Sequence, residues 1–192
     1  VYPEVIGRAA DIDPVNNPAL AEELLAEAGA VKERGVWMLD GAPLEINIVT
    51  YGSRAALPPT AELTQAFLQA IGVQSNVRVG EYGASNDAIT DGTADMFLQA
   101  WVTTPQGDPG AVLEALLKST GGSNAGGYNS PEVDQLLADG RTTFDEEARA
   151  IIYDRIQEII AEEAAMIPVN HVSQLNDART GQTGYAEHPT ET

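Results

Sequence analysis

Apolar residues recur along this chain with two alternating periods. Leu20, Leu24 and Leu25 fall on one face of a helix predicted over 18–28, opened by Asn17 as N-cap with Pro18 at the first helical position and ended by Gly29. The period then shortens. Val36-Trp-Met-Leu39, the Asp40-Gly41 turn signal and the alternating Leu44-Glu-Ile-Asn-Ile-Val49 predict a hairpin. A second helix is predicted over 60–71, where Leu63, Phe67, Leu68 and Ile71 share a face and Gly72 stops the run. Strands are predicted over 73–82 and 94–102, with a short helix over 86–90 between them. The last strand is apolar nearly throughout, as a strand covered on both faces would be. Strands separated by helices imply an α/β fold with a mostly parallel sheet flanked by helices.

The segment 103–128 breaks this rhythm. It holds Pro105, Pro109 and glycines at 107, 110, 121, 122, 126 and 127, and only 111–118 reads as helix. Such a segment forms shaped loops, where binding groups are often carried. Ser130-Pro131-Glu132-Val133 opens a further helix. The longest helix is predicted over 145–165, striped by Ala148, Ile151, Ile152, Ile156, Ile159 and Ile160. A strand over 167–174 and an irregular tail over 175–192 follow, and residues 1–17 form an extended leading segment. The whole, 1–192, is expected to be one domain and a monomer.

Composition changes the picture through charge. Twenty-nine acids face ten bases, a net charge of −19, and Lys32 and Lys118 are the two lysines. Such a surface repels phosphate backbones and argues against nucleic acid as a partner. With many acids, few lysines and no cysteine, the composition suggests a protein of a salt-loving organism. The lack of cysteine excludes disulfides and thiol chemistry. No apolar run reaches the length of a membrane span, so membrane attachment is expected only through an anchor outside this segment.

The residues supply little catalytic chemistry. No Gly-x-Ser-x-Gly elbow is present. His171 and His188 are the two histidines, with no partner at metal-ligand spacing. His171 reads either as a half-buried strand residue or as a cleft-facing one. No metal site and no cofactor are expected. What remains is Trp101 at the end of an apolar strand, followed by Thr103 and Thr104, and the loop of Tyr51, Ser53 and Arg54 after the preceding strand. Ligands of open α/β sheets bind beyond the carboxyl ends of strands. An indole offers a flat apolar face and one donor, which suits an organic ligand. Trp101 plugging the sheet edge is the competing reading. Asn124 and Tyr128 of the Gly-rich loop complete the candidate site.

Several stretches, taken in order, resemble the extracellular solute-binding proteins of family 5, the peptide and nickel class. They are Ala21-Glu-Glu-Leu24-Leu25-Ala-Glu27-Ala-Gly29, Asp40-Gly41 with Leu44-Glu-Ile46, Ile71-Gly72-Val73, Gly92-Thr-Ala-Asp-Met96, Trp101 with Gly107-Asp108-Pro109, Gly127-Tyr-Asn-Ser-Pro-Glu-Val-Asp134, and Ile167-Pro168-Val169 after the isoleucine-rich helix. The resemblance implies the C-terminal lobe of a periplasmic-binding-protein type II architecture. In that architecture two lobes close over a solute and deliver it to the permease subunits of an ABC importer outside the cell. A hydrolase-like enzyme and a sensor or adaptor lobe are the alternative readings. Peptide-binding members carry an aspartate three residues after the tryptophan, pairing with the peptide's free amine; here that position is Thr104. A peptide with a free amine, a capped peptide, a sugar, an opine and a metal chelate therefore all stay open, and Asp108 is assigned to its Gly-Asp-Pro turn and not to amine binding.

The charge generates a prediction. Screening length falls from about 30 Å at 0.01 M salt to about 3 Å at 1 M, which suppresses repulsion among the acids. The melting temperature should rise markedly from low to molar sodium chloride, and a flat response would remove the salt-loving reading.

Overall fold

Asn17 starts the first helix as its spacing predicts: its side-chain oxygen accepts the Leu20 N–H at 3.1 Å, and α1 runs Pro18–Glu27. The computed structural model describes residues 16–103, 107–169 and 180–181. By its contacts the chain divides into two compact units, one from Val15–Trp101 with Ala125–Gly127 and the other from Val102–Asn124 with Tyr128–Thr192 and the leading residues. We call them the sheet unit and the helical unit.

The sheet unit holds two three-stranded sheets. The first is an antiparallel meander of β1 (Val31–Glu33), β2 (Val36–Leu39) and β3 (Ala42–Pro43). Asp40 and Gly41 both take left-handed backbone, at φ 51° and 80°, which is what a two-residue hairpin turn with the strands' own twist requires. The predicted hairpin is thus corrected in its second arm. β2 pairs with Ala42–Pro43, and the run that begins near Leu44 leaves for the other sheet. β1 was not foreseen because Lys32 and Glu33 hide it behind charge, although Arg34-Gly35 repeats the left-handed turn at φ 51° and 88°.

The second sheet is parallel, in the order β5-β4-β6. β4 (Glu45–Tyr51) lies between β5 (Gln74–Gly80) and β6 (Met96–Phe97). α2 (Leu57–Ala70) and α3 (Tyr82–Thr90) are the crossovers. Side chains of a strand alternate faces. Ile46 packs in a cluster with Trp37, Leu68, Ile71 and Val73, whereas Val49 packs with Ala88, Ile89, Ala94 and Phe97. β4 is therefore the strand covered on both faces, not 94–102. That predicted strand shrinks to Met96–Phe97 at the sheet's edge, and Leu98–Trp101 lie beyond the strand, with the Leu98 N–H making the last backbone bond to β4. α2 begins at Leu57, earlier than predicted, because Pro58 and Pro59 suit a first turn whose N–H groups need no partner. In α1, Leu25 packs against the Trp37 cluster while Leu20 and Leu24 are exposed.

The helical unit packs α4 (Gly110–Leu117), α5 (Pro131–Thr142) and α6 (Glu146–Glu162) around Val112, Leu116, Leu117, Val133, Leu137, Tyr153, Ile156, Ile159 and Ile160. Ser130 and Asp145 cap α5 and α6 through the Val133 and Ala148 N–H groups. Ile151 is exposed, against expectation. A step of one residue turns a helix by about 100°, so the face that buries Tyr153 and Ile156 carries Ile151 away from the core. Residues 167–169 form no strand, and the rest of the predicted final strand lies outside the described residues.

The two sheets of the sheet unit meet through Trp37. Its backbone N–H donates to the Gly72 carbonyl at 3.0 Å and its indole N–H to the Ile71 carbonyl at 2.9 Å. Gly72 sits at φ 92°, and a Cβ there would lie 2.2 Å from the Gly35 carbonyl oxygen. Gly72→Ala should therefore destabilise the fold by more than about 2 kcal/mol, read by urea denaturation.

Candidate functional site

The strand order reverses at β4. Its own crossover leads to β5 on one side, and the crossover from β5 leads to β6 on the other. In open α/β sheets such a reversal opens a crevice at the carboxyl ends of the strands. Three segments leave that end within the sheet unit: Gly52-Ser53-Arg54 after β4, Glu81 leading into α3 after β5, and Leu98–Trp101 after β6.

The tip of β4 is unusual in its polar groups. Thr50 is 0% exposed. Its hydroxyl donates to the Leu98 carbonyl at 2.8 Å, and its own carbonyl accepts the buried Ser85 hydroxyl at 3.0 Å. Tyr51 is 6% exposed. Its ring stands edge-on to Tyr82 and Phe97, with centroids 5.3 and 6.1 Å away, and its phenol oxygen accepts the Ala100 N–H at 3.2 Å. Tyr51 is thus a packed residue with an engaged hydroxyl. Ser53 and Arg54 are exposed beside it, and the Arg54 carbonyl accepts the Leu57 N–H at the start of α2. Trp101 remains 38% exposed, a large ring left in solvent at the end of a segment that is otherwise tied down.

In the helical unit, Asn124 organises the Gly-rich loop. Its amide donates to the Lys118 and Tyr128 carbonyls at 3.1 and 2.7 Å, and its side-chain oxygen accepts the Tyr128 N–H at 2.9 Å. The Tyr128 hydroxyl donates to the Glu163 carboxylate. Burial and then that carboxylate raise the phenol's pKa above its ordinary value. Asp134 accepts both the backbone N–H and the hydroxyl of Ser119, and the hydroxyl bond, followed by the backbone one, holds its carboxyl below the usual range.

Asp108 is equally committed. Its carboxylate meets the Arg149 guanidinium at 2.9 Å, accepts the Tyr153 hydroxyl at 3.0 Å and caps the Gly110 N–H at 2.8 Å. Tyr153 needs room on both sides. A Cβ on Gly110 would lie 2.4 Å from its hydroxyl, and one on Gly140 would lie 3.0 Å from its ring. With three partners around it, Asp108 serves the fold of its turn.

Of the residues singled out from sequence, Tyr51 ends β4, Ser53 and Arg54 follow it, and Trp101 follows Ala100, whose N–H the Tyr51 phenol accepts; all four belong to the sheet unit. Thr103, Asn124 and Tyr128 belong to the helical unit. Thr104 and His171 lie outside the described residues. Sequence reading missed Thr50, Ser85, Tyr82 and Phe97. One signal was available for Thr50: a hydroxyl between Val49 and Tyr51, deep in a covered strand, implies a specific hydrogen-bond partner. Among the described residues no group of three or more potential ligands could hold a metal ion, and no helix is long and apolar enough to cross a membrane.

Comparison with known proteins gives a consistent result. Residues 1–124 match the family described as bacterial extracellular solute-binding proteins, family 5 Middle. A probable di/tripeptide-binding protein 5 of Pseudomonas aeruginosa is 32% identical over 154 residues, covering 76% of this chain and 29% of that protein. A heme-binding protein A of Haemophilus influenzae is 30% identical over 177 residues, covering 90% and 31%. A nickel ABC transporter structure from Bacillus halodurans superposes with a TM-score of 0.71 at 28% identity, covering 83% of this chain and 33% of that one. The chain thus spans about a third of the length of the proteins it matches, and its fold is of the type II periplasmic-binding-protein kind.

The Tyr153–Asp108 pair gives a pH-dependent prediction. Burial, and then the bond to Asp108, push the Tyr153 phenol up to about 12 from its ordinary 10.0. The folded protein holds this proton more tightly than the unfolded chain. Its stabilisation is therefore complete below pH 10 and is lost as pH rises towards 12. Tyr153→Phe should lose about 1–2 kcal/mol at neutral pH and show a shallower decline of stability in the alkaline window, compared by urea titration at several pH values.

Proposed function

From the premise that this chain belongs to the bacterial extracellular solute-binding proteins of family 5, we propose that it is the C-terminal lobe of a two-lobed receptor that captures a small solute for an ABC importer. The observation that carries the reading is Trp101, left 38% exposed at the carboxyl end of the parallel sheet, where this class of sheet binds ligands. The solute lies between this lobe and a second one, and lobe closure buries it. Trp101 stacks on it, with Ser53 and Arg54 of the same unit supplying a hydroxyl and a guanidinium. Within the helical unit, Asn124 holds the Gly-rich loop through its bonds to Lys118 and Tyr128. The receptor works outside the cell as a monomer, tethered by an anchor beyond this segment, and hands its cargo to permease subunits. Its acidic surface is that of a protein kept soluble in concentrated salt.

The relatives are named for di/tripeptides, heme and nickel, so membership alone leaves the solute open. The residues narrow it. Where peptide-binding members resembling this chain hold an aspartate for a free amine, this chain has Thr104. A hydroxyl stabilises an ammonium group far less than a carboxylate does. The inventory of indole, hydroxyls and one guanidinium favours a solute bound by stacking and neutral hydrogen bonds, with an acidic group met by Arg54.

Replacing Trp101 by Ala in the full-length protein should weaken solute binding by about 1–3 kcal/mol, the range of an anchoring aromatic. The measurement is a thermal-shift screen with Ala-Ala, N-acetyl-Ala-Ala, a disaccharide and Ni(II)–L-histidine, followed by calorimetry on the binder. Wild-type affinity in a folded Trp101→Ala protein would assign the ring to packing.

A further inference from the structure

The route from β6 to Trp101 is held in an unexpected way. The backbone ladder between β4 and β6 pairs Ile48 with Met96 and Val49 with Phe97, and its last bond runs from the Leu98 N–H to the Val49 carbonyl at 3.0 Å. β4 continues two residues further, to Tyr51, paired with Gly80 of β5. On the β6 side no further ladder bond accompanies it among the described residues. Side chains take over. The Thr50 hydroxyl donates to the Leu98 carbonyl at 2.8 Å, and the Tyr51 phenol oxygen accepts the Ala100 N–H at 3.2 Å. Trp101 is the next residue.

We infer that Thr50 and Tyr51 are positioning residues for Trp101, extending the grip of β4 along the departing chain by two side-chain hydrogen bonds where the ladder stops. The inference rests on the reading of Trp101 as the solute-facing ring. Successive side chains of a strand point to opposite faces, so the two hydroxyls approach Leu98–Ala100 from opposite sides of the sheet. Both anchors are themselves fixed. Thr50 is 0% exposed, with its carbonyl bonded to the Ser85 hydroxyl. The Tyr51 ring is held edge-on by Tyr82 and Phe97, which lie 5.6 Å apart. A phenol fixed by packing is a rigid acceptor, which a backbone carbonyl at a strand's frayed end would not be. A rigid support of this kind presets an exposed ring in its binding orientation and lowers the ordering cost of capture. Tyr51, expected from sequence among the ligand contacts, thereby acts on the solute through the backbone of Trp101.

The test uses the full-length protein with Tyr51→Phe, which keeps the ring and removes the acceptor, and Thr50→Val, which keeps the shape and removes the donor. Tyr82→Phe is the control that leaves both hydrogen bonds in place. Hydrogen exchange read by mass spectrometry on overlapping peptides across residues 96–103 isolates the Ala100 amide. Tyr51→Phe should speed its exchange about tenfold or more, with the buried Trp37 amide unchanged. Thr50→Val should do so to a smaller degree, and Tyr82→Phe should not. In parallel, affinity is measured for whichever of Ala-Ala, N-acetyl-Ala-Ala and Ni(II)–L-histidine stabilises the wild type, and Tyr51→Phe should weaken it about 3- to 30-fold. Wild-type exchange at Ala100 in both variants, or a rise shared equally with the Trp37 amide, overturns the positioning role. Faster exchange at Ala100 with unchanged affinity overturns it as well. If Trp101→Ala leaves affinity unchanged, the solute-contact reading fails, whereas the exchange result still decides whether Thr50 and Tyr51 hold this segment.

Discussion

The structure of the sheet unit depends on one strand being covered on both faces and paired on both edges. β4 has α2 and the Trp37 cluster over Ile46, and α3 over Val49, with β5 and β6 along its sides. Such a strand can neither slip nor rotate, because a shift of one residue would turn every side chain to the wrong face. Everything beyond its carboxyl end inherits that rigidity through short connections: Ser53 and Arg54 by direct continuation, and Trp101 by way of Leu98 and Ala100. The apolar part of the strand fixes its register, and its last two residues carry hydroxyls that fix what lies beside it.

The legibility of the sequence follows this division. Helices with a cap and a stop were readable because each signal is local. Asn17 and Gly29 bracket α1, and Asp145 opens α6. Parallel pairing was readable from the alternation of helix and strand. The partner of each strand was not. Leu44 and its neighbours alternate as a hairpin arm would, and only the sheet shows that β4 leaves β2 for β5. The run 94–102 misled for a related reason. Apolar residues near a sheet's carboxyl end can be buried by side chains and not by further strand, and here Tyr51 and Tyr82 cover Phe97. Composition therefore registers burial without saying whether the ladder continues.

The candidate site divides in the same way. Trp101 was legible because a large aromatic followed by polar residues at a strand's end is a local pattern. For Thr50 the sequence signalled only that its hydroxyl needs a partner, and not which one, because the carbonyl it bonds lies 48 positions away. Asn124 and Tyr128 were legible as notable residues in a Gly-rich loop, but what their side chains do there was not. The Asn124 amide makes its bonds within its own loop, and the Tyr128 hydroxyl goes to Glu163. A polar side chain looks the same in sequence whether it faces a ligand or closes a loop, and partners fixed by tertiary structure decide between the two.

The scarce cations bear on how salt acts. Lys32 meets Glu22 at 2.9 Å and stands 5.4 Å above the Trp37 ring. Arg149 holds Asp108, and Arg155 joins Glu132 to Glu158. Salt weakens such pairs as well as repulsion, so its net effect turns on which is larger. Exposed pairs contribute about 0–1 kcal/mol each, and the Arg149–Asp108 contact is half-buried, where screening reaches poorly. With 29 acids and ten bases, at least nineteen carboxylates must remain without a one-to-one cationic partner. Repulsion runs over pairs of acids and attraction over acid–base pairs, and the former outnumber the latter when acids exceed bases this far. Even with every cation placed against a carboxylate an excess of acids is left, and on that ground added salt is expected to favour the compact chain.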